Sequence, residues 1–322
     1  MNRQKIVVLG TGGTIAGETA SADDATSYTA AIRGVPALLA SVSGLEQLPF
    51  ALHTEQVAQI DSKDMDIAIW QRLLLRCVHW LAQPDVQGLV ITHGTDTLEE
   101  TAYLLHAVLN PSKPVVLTCA MRPATAVDAD GPQNLGDALK VAAHSSAGGV
   151  MVVCAGSIHS AQAVQKVHPT RLDAFGSGDE DVLGQVYNGQ VFLKAREPIS
   201  PSAYSREVIE KIASLAQWPR VEIVWSHAAA QGATVDALVD ADVAQRYGAP
   251  AVQGLVVAAT GNGTVHRLLE SSLLRAKLRG VRVLIASRCV LGAPDVKLDT
   301  VFEYARGLTP VKARVALMLE LI

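Results

Sequence analysis

Ile6-Val7-Val8-Leu9-Gly10-Thr11-Gly12-Gly13-Thr14-Ile15-Ala16-Gly17 runs an apolar stretch straight into a turn rich in glycine and threonine. The same construction returns at Leu89-Val90-Ile91-Thr92-His93-Gly94-Thr95-Asp96-Thr97. A short apolar run stopped by glycine reads as a strand buried on both faces, and such strands belong to parallel sheets. In open α/β sheets, ligands bind just beyond the carboxyl ends of the strands. Both turns therefore set hydroxyls, a carboxylate and bare backbone where a hydrolase with a threonine nucleophile would need them.

Outward from these two turns, strand-like runs alternate with helical patterns. The strands read at 6–9, 88–92, 114–119, 149–154, 221–225, 254–259 and 282–286. After Asp61-Ser62-Lys63-Asp64, the residues Ile67, Trp70, Leu73, Leu74, Cys77 and Leu81 recur at helical spacing, which predicts a helix over 64–82. Residues 98–109, 135–143 and 265–278 read the same way. A final helix starts with Thr309 as N-cap and Pro310 in the first turn. This βαβ rhythm predicts an α/β protein. Its larger N-terminal domain would hold a mainly parallel sheet with helices on both faces, and its smaller C-terminal domain a parallel sheet. Residues 185–193 break the rhythm with an alternating pattern around Asn188-Gly189, a hairpin signal. The proline-rich stretch that follows has no period. The expected division is a catalytic domain over 1–195, a linker over 196–218 and a second α/β domain over 219–322.

The bulk properties narrow the function. The chain has 322 residues, 49% hydrophobic and 18% charged, which is a globular composition with ample core. A net charge of −4 with no basic stripe argues against nucleic acid as a partner. No uninterrupted apolar stretch reaches the ~18 residues of a membrane span. The first apolar run is too short for a signal-peptide core, so the expected compartment is the cytoplasm. Cys77, Cys119, Cys154 and Cys289 show no CxxC spacing and read as buried free thiols. The nine histidines are scattered without ligand spacing, so no metal is expected. The first turn places Ile15 where a dinucleotide fingerprint needs its third glycine, and a polar loop follows instead of a helix. P-loop, G-x-S-x-G and H-E-x-x-H patterns are missing too. No cofactor is expected.

With both threonine turns in view, the chain resembles the bacterial-type L-asparaginases. Thr11 to Gly17 resembles their N-terminal signature, and Gly88 through Tyr103 (GLVITHGTDTLEETAY) resembles the second. Further matches follow in order at Tyr28, Asp61-Ser62-Lys63-Asp64-Met65, Ala120-Met121-Arg122-Pro123, Asp130-Gly131-Pro132, Lys166 and Gly261-Asn262-Gly263. The likeness runs from residue 5 to the final helix. It implies hydrolysis of L-asparagine to L-aspartate and ammonia, with some activity on glutamine open. It also implies a homotetramer built as a dimer of intimate dimers, with no cofactor.

The resemblance assigns Thr14 as nucleophile, assisted by Tyr28 on a closing lid, with Thr95, Asp96 and Lys166 as a second constellation. It assigns substrate binding to Ser62, Thr95, Asp96, Ala120 and Asn262. Chemistry supports these types: a threonine hydroxyl needs a base to take its proton, and a lysine serves only when uncharged. By itself, Lys166 reads as a solvated surface residue; the likeness is what sets it beside Thr95. Asp96 reads as an N-cap for the helix after it or as acceptor for a substrate α-ammonium. Ser62 reads as an N-cap for the 64–82 helix, or as a ligand of the α-carboxylate. Residues 18–29, small, polar and acidic, read as a surface loop or a mobile lid. Lys63 stands where relatives often carry a neutral polar residue, and is expected to point elsewhere or to pair with Asp64. Asp295 is a stand-in for the acidic residue that relatives lend to a neighbouring subunit near Asn262. A reading from another class is a catalytically silent amino-acid-binding protein on the same scaffold.

Overall fold

The computed structural model describes residues 4–19, 28–109, 111–178, 182–195, 204–295, 300–305 and 307–322. The chain divides into two compact units, residues 1–214 and 215–322.

The first unit is built on eight strands: β1 (Lys5–Gly12), β2 (Ala51–Ile60), β3 (Val86–Thr92), β4 (Pro114–Thr118), β5 (Gly149–Cys154), β6 (Ser157–Ser160), β7 (Val182–Tyr187) and β8 (Gln190–Leu193). Their order across the sheet is β8-β7-β6-β5-β4-β3-β1-β2. The pairs from β5 through to β2 are parallel, and β6, β7 and β8 extend the sheet antiparallel. The central strands are continuous Val/Ile/Leu runs because helices cover both faces. Ile6, Val8, Val90, Val116, Met151 and Val153 pack against α1 (Val35–Leu39) and α4 (Gly131–Ala143). The alternate residues Val7, Leu9, Leu89, Ile91 and Leu117 are equally buried and point the other way. That side is covered by α2 (Ile67–Leu81) and α3 (Leu98–Leu109), which lie against β2, β3 and β5.

Several short elements, among them α1 and β6, have no counterpart in the sequence reading, and two longer ones show why. Strand β2, Ala-Leu-His-Thr-Glu-Gln-Val-Ala-Gln-Ile, has no apolar run because it is an edge strand, mostly half-buried along its length. Inside the segment read as a linker lies a helix, α5 (Arg206–Ser214), which buries Ile209, Ile212 and Ala213 and packs on α2. The spacing i, i+3, i+4 of those three residues is a helical signature that the surrounding polar residues masked. The hairpin of β7 and β8 follows its signal: Asn188 and Gly189 both take positive φ, 48° and 74°, the geometry of a type I′ turn.

The second unit holds four parallel strands in the order β9 (Arg220–Trp225), β10 (Val252–Ala259), β11 (Arg282–Ser287) and β12 (Glu303–Tyr304). Helices α6 (Ala233–Leu238) and α8 (Arg267–Leu278) share a core with the sheet, and α7 (Ala241–Arg246) packs beside α6. Helix α9 (Pro310–Glu320) starts at its Thr309 cap, whose hydroxyl accepts from the Lys312 N–H at 3.5 Å. It lies on β10 so closely that a Cβ on Gly254 would come within 2.8 Å of Leu317. No described helix is long and apolar enough to cross a membrane. Of the four cysteines, Cys77, Cys119 and Cys154 are buried as read, but Cys289 is exposed. It lies in the loop beyond β11, where the apolar run has already ended.

Candidate active site

Strands β1 and β3 are parallel neighbours with Gly10 level with Thr92, so both threonine loops leave the same end of the sheet. They then touch through bare backbone. A Cβ on Gly13 would lie 2.3 Å from the Gly94 Cα, and one on Gly94 would lie 2.5 Å from the Ser62 Oγ. Gly13 also holds φ at 83°, in the region that favours glycine. The Thr11 hydroxyl donates to the Thr92 carbonyl at 2.9 Å and ties the two loops below the surface.

Thr14 opens a single 3₁₀ turn after β1 and is buried. Its Oγ1 is 2.7 Å from the Tyr28 hydroxyl. Tyr28-Thr29 pairs antiparallel with Glu18-Thr19, and Gly17 lets the ring pass, since a Cβ there would lie 2.9 Å from Tyr28 Cδ2. The pair is anchored by Arg33 Nε to Glu18 Oε1 at 2.8 Å and by the Thr19 N–H to Thr125 Oγ1 at 2.8 Å. Of the stretch read as loop or lid, residues 20–27 lie outside the described residues.

Thr95 is buried, and its hydroxyl meets an ionic pair. Lys166 Nζ donates to Thr95 Oγ1 at 2.8 Å and to Asp96 Oδ1 at 2.7 Å. Gln165-Lys166 forms a short strand paired with Phe175-Gly176, which carries the lysine to residues 70 and 71 positions earlier. Asp96 sits two residues ahead of α3, with its side chain half exposed. The Asp96 N–H donates to Ser62 Oγ at 3.2 Å, and the Thr97 hydroxyl to the Ser62 carbonyl at 2.8 Å. Ser62 is not the N-cap of α2. Asp66 is, accepting from the Ile69 N–H at 2.8 Å, because the helix begins at Ile67, where the apolar periodicity starts, and residues 62–64 form a separate 3₁₀ turn ahead of it. Lys63 Nζ donates to Asp64 at 2.9 Å and Asp61 at 3.1 Å, so the expected pairing is present.

Behind Thr95, a buried chain of polar groups fixes the loop. The Trp70 indole donates to Thr101 Oγ1 at 2.9 Å. The Thr101 hydroxyl proton is then directed to His93 Nε2, also at 2.9 Å, so Nδ1 carries the ring proton and donates to the Gly94 carbonyl at 2.7 Å. Complete burial pushes the His93 pKa down to about 4, against a smaller opposing effect of the Gly94 bond. The imidazole is therefore neutral, a brace for the turn rather than a general base in the cavity.

The loop after β4 supplies another wall. The Asp130 carboxylate accepts from the N–H groups of Met121 and Arg122, both at 2.9 Å. Asn134 donates to the Cys119 carbonyl at 3.0 Å. In a trans peptide the carbonyl lies opposite the N–H, so Asp130 turns the Ala120 carbonyl away from itself. Ala120 is fully buried as a whole residue, so it reaches the cavity wall only through its neighbours Met121 and Arg122.

These walls enclose an open cavity of about 480 Å³. Six of the expected site residues line it: Thr14, Tyr28, Ser62, Thr95, Asp96 and Lys166. Ala120 is adjacent through Met121 and Arg122, which line it together with Asp61, Pro169 and Thr170. The sequence reading had given these five no role. Asn262 belongs to the second unit, between Gly261 and Gly263 at positive φ. There its amide donates to the Asp295 carbonyl at 3.1 Å and accepts from the Asp295 N–H at 2.6 Å. Among the described residues no cluster of three or more His, Cys, Asp or Glu could hold a metal ion. The cavity thus offers two buried hydroxyls, one paired with a phenol and one with a lysine, and a carboxylate open to a cationic ligand.

Residues 5–199 match the N-terminal domain of the asparaginases, and residues 220–322 match the glutaminase/asparaginase C-terminal domain. The chain is 34% identical to L-asparaginase 2 of Bacillus subtilis, over 98% of this chain and 82% of that one. It is 36% identical to a glutaminase-asparaginase of Pseudomonas fluorescens, over 98% of this chain and 86% of that one. The crystal structure of a probable cytoplasmic L-asparaginase from Campylobacter jejuni superposes with a TM-score of 0.86 at 36% identity, covering 99% of this chain and 95% of that one.

Proposed function

The chain belongs to the asparaginase family and hydrolyses L-asparagine to L-aspartate and ammonia, and we propose that it does so with Thr14 as nucleophile. The observation that carries this reading is the pairing of two buried hydroxyls on one cavity: Thr14 with Tyr28, and Thr95 with Lys166.

The substrate α-ammonium meets Asp96, whose half-exposed carboxylate has acceptor capacity beyond its bond to Lys166. Ser62 and the neighbouring backbone receive the α-carboxylate. The Ala120 carbonyl accepts from the side-chain amide. Thr14 Oγ1 attacks the amide carbon and its proton goes to the departing nitrogen, with the Tyr28 hydroxyl assisting through its hydrogen bond to Oγ1. The C–N bond breaks, ammonia leaves and an ester on Thr14 remains. Backbone N–H groups of the glycine turns hold the oxyanion.

Thr95 and Lys166 then activate the water that cleaves the ester. Lys166 can accept a proton only when uncharged. The family likeness gives Asn262 a part in substrate binding as well. Glutamine, longer by one methylene, enters with a penalty of about 1–3 kcal/mol.

The test is to trap the ester. In Thr95→Val, denaturing the enzyme during turnover and weighing it is expected to reveal an aspartyl adduct on Thr14. An adduct on another residue, or turnover unchanged in Thr14→Val, overturns the assignment.

The family likeness also supports a homotetramer, a dimer of intimate dimers with Asp295 near the neighbouring site, and a cytoplasmic location. The Campylobacter jejuni relative, a probable cytoplasmic L-asparaginase, supports the latter. Sedimentation velocity and cell fractionation test these two points.

A further inference from the structure

We infer that Cys119 and Cys154 form a covalent modification site, a dithiol that a small hydroperoxide closes into a disulfide across the strand ends beside the cavity. Strands β4 and β5 are parallel, with Thr118 level with Val153 as the last paired residues. Cys119 and Cys154 are the next residues on each, and the Cys119 thiol donates to the Cys154 sulfur at 3.7 Å. Neighbouring strands lie about 4.8 Å apart, inside the ~4.4–6.8 Å that a disulfide requires between Cα atoms. Asn134 keeps the pair in line, since its amide donates to the Cys119 carbonyl and accepts from the Ala155 N–H, both at 3.0 Å.

Each sulfur is tied to a different wall of the cavity. Cys119 directly precedes Ala120, Met121 and Arg122. The Cys154 thiol donates to the Leu172 carbonyl at 3.9 Å, in the segment that carries Lys166 and Thr170. Leu172 itself is exposed, so Cys154 lies one residue layer beneath the surface. The hydrogen bond to Cys154 first, and burial second, hold the Cys119 thiol well above its ordinary pKa. Cys154, directly beneath the exposed Leu172, is the thiol that meets the oxidant.

The chemistry balances with one hydroperoxide. The Cys154 sulfur, giving up its proton, attacks one peroxide oxygen and the O–O bond breaks. With hydrogen peroxide this leaves a sulfenic acid on Cys154 and one water. The Cys119 sulfur then attacks the Cys154 sulfur, the S–O bond breaks, and the departing hydroxide takes the Cys119 proton as a second water. Two thiols are oxidised by two electrons to one disulfide. Closure draws the sulfurs together by roughly 1.7 Å, to the ~2.05 Å of an S–S bond, and releases the Leu172 contact. A displacement of about 1 Å in a catalytic wall can lower turnover on the order of 10²-fold.

The loss of turnover rests on the proposed asparaginase reading, whereas the cross-link does not. The test treats the full-length enzyme and its Cys154→Ser variant with hydrogen peroxide, removes the peroxide, then alkylates the unfolded chains and weighs and maps them. The treated enzyme is expected to lose two alkylation sites and to yield a peptide joining Cys119 to Cys154. Its turnover should fall about 10- to 100-fold and return with dithiothreitol, while Cys154→Ser keeps the turnover it had before treatment. Four alkylated cysteines in the treated enzyme overturn the proposal, as does a loss that Cys154→Ser shares or that dithiothreitol fails to reverse. If Cys154→Ser does not fold, Cys119→Ser serves as the second variant: peroxide is then expected to leave a sulfenic acid on Cys154, trapped by dimedone, with no peptide joining positions 119 and 154, and the lack of that adduct overturns the proposal. A chain that cross-links but never hydrolyses asparagine would count against the function and not against the dithiol.

Discussion

The loops that follow β1 and β3 carry similar letters but are held in opposite ways. The Thr95 loop is braced from below by Trp70, Thr101 and His93, and from the side by Ser62 and the Lys166–Asp96 pair. The Thr14 loop is fixed by contact of glycine backbones, and its hydroxyl partner Tyr28 is 38% exposed on a two-residue strand pair. One hydroxyl is preorganised by buried and ionic contacts. The other depends on a phenol supplied from the surface. A site of this kind keeps its charged pair rigid and leaves the surroundings of the Thr14 hydroxyl, the proposed nucleophile, to the less buried element.

The largest expected effects come from removing each loop's chemistry. Thr14→Val, close in shape, is expected to lower kcat by about 10⁴-fold, the scale of losing a nucleophile. Lys166→Met removes a positioned proton acceptor and should cost about 10²–10⁴-fold, with the ester on Thr14 accumulating. Rapid-quench kinetics separates the two, because only the second variant should release a first equivalent of ammonia in a burst. A burst from Thr14→Val would reverse the roles given to the two loops.

The brace behind Thr95 makes its loop sensitive to acid. His93 has a folded pKa of about 4 against 6.5 when unfolded, a lowering caused by burial. Below pH 6.5 the unfolded chain binds the proton that the folded chain refuses. Stability is therefore full above that pH and falls as pH drops towards 4, by up to about 3 kcal/mol. His159, buried beside Ser177 and also lowered to about 4 by burial, contributes in the same window. Urea midpoints across pH 4–7 should show the decline. His93→Asn keeps a donor for the Gly94 carbonyl and should flatten part of the curve, with His159→Asn flattening the rest. An unchanged slope in both variants would show that neither ring is held neutral.

The contrast between the loops also sets what could be read from the letters. Continuous apolar strands and the glycine-threonine turns announced themselves, because burial on both faces leaves no polar residue in the run. The edge strand β2 did not, since its half-buried positions mix Glu55 and Gln56 with Leu52 and Val57. Thr14 and Thr95 were legible as hydroxyls at strand ends. Lys166 was legible only through family likeness, because nothing in Val-Gln-Lys-Val announces that a two-residue strand will carry its amine to a hydroxyl 71 residues away. The His93 brace was hidden for a similar reason. Its partners Trp70 and Thr101 belong to two different helices, and each taken singly fits an ordinary core position.

Tyr28→Phe probes the exposed side with a smaller change. It deletes one hydroxyl that bonds Thr14 at 2.7 Å and leaves the ring packed on Gly17. A single hydrogen bond contributes about 0.5–1.5 kcal/mol, so kcat is expected to fall about tenfold with KM nearly unchanged. A loss as large as that of Thr14→Val would make the phenol indispensable to the proton's path. It would also erase the distinction between a rigid loop and an assisted one.

The smallest effect is expected at Lys63, next to Ser62 and facing the same end of the sheet. Its amine is engaged by Asp64 and Asp61, and all three side chains are substantially exposed. Exposed pairs of this kind contribute little and are screened by salt. In the proposed binding mode the substrate ammonium meets Asp96, where Lys166 already stands within 2.7 Å, so the cation nearest to it is Lys166. Lys63→Gln should therefore change kcat/KM by less than about twofold, at low and high ionic strength alike. A gain of tenfold or more, fading as salt is added, would mean that Lys63 repels the arriving ammonium. The Ser62 side of the Thr95 loop would then be an electrostatic obstacle rather than an inert support.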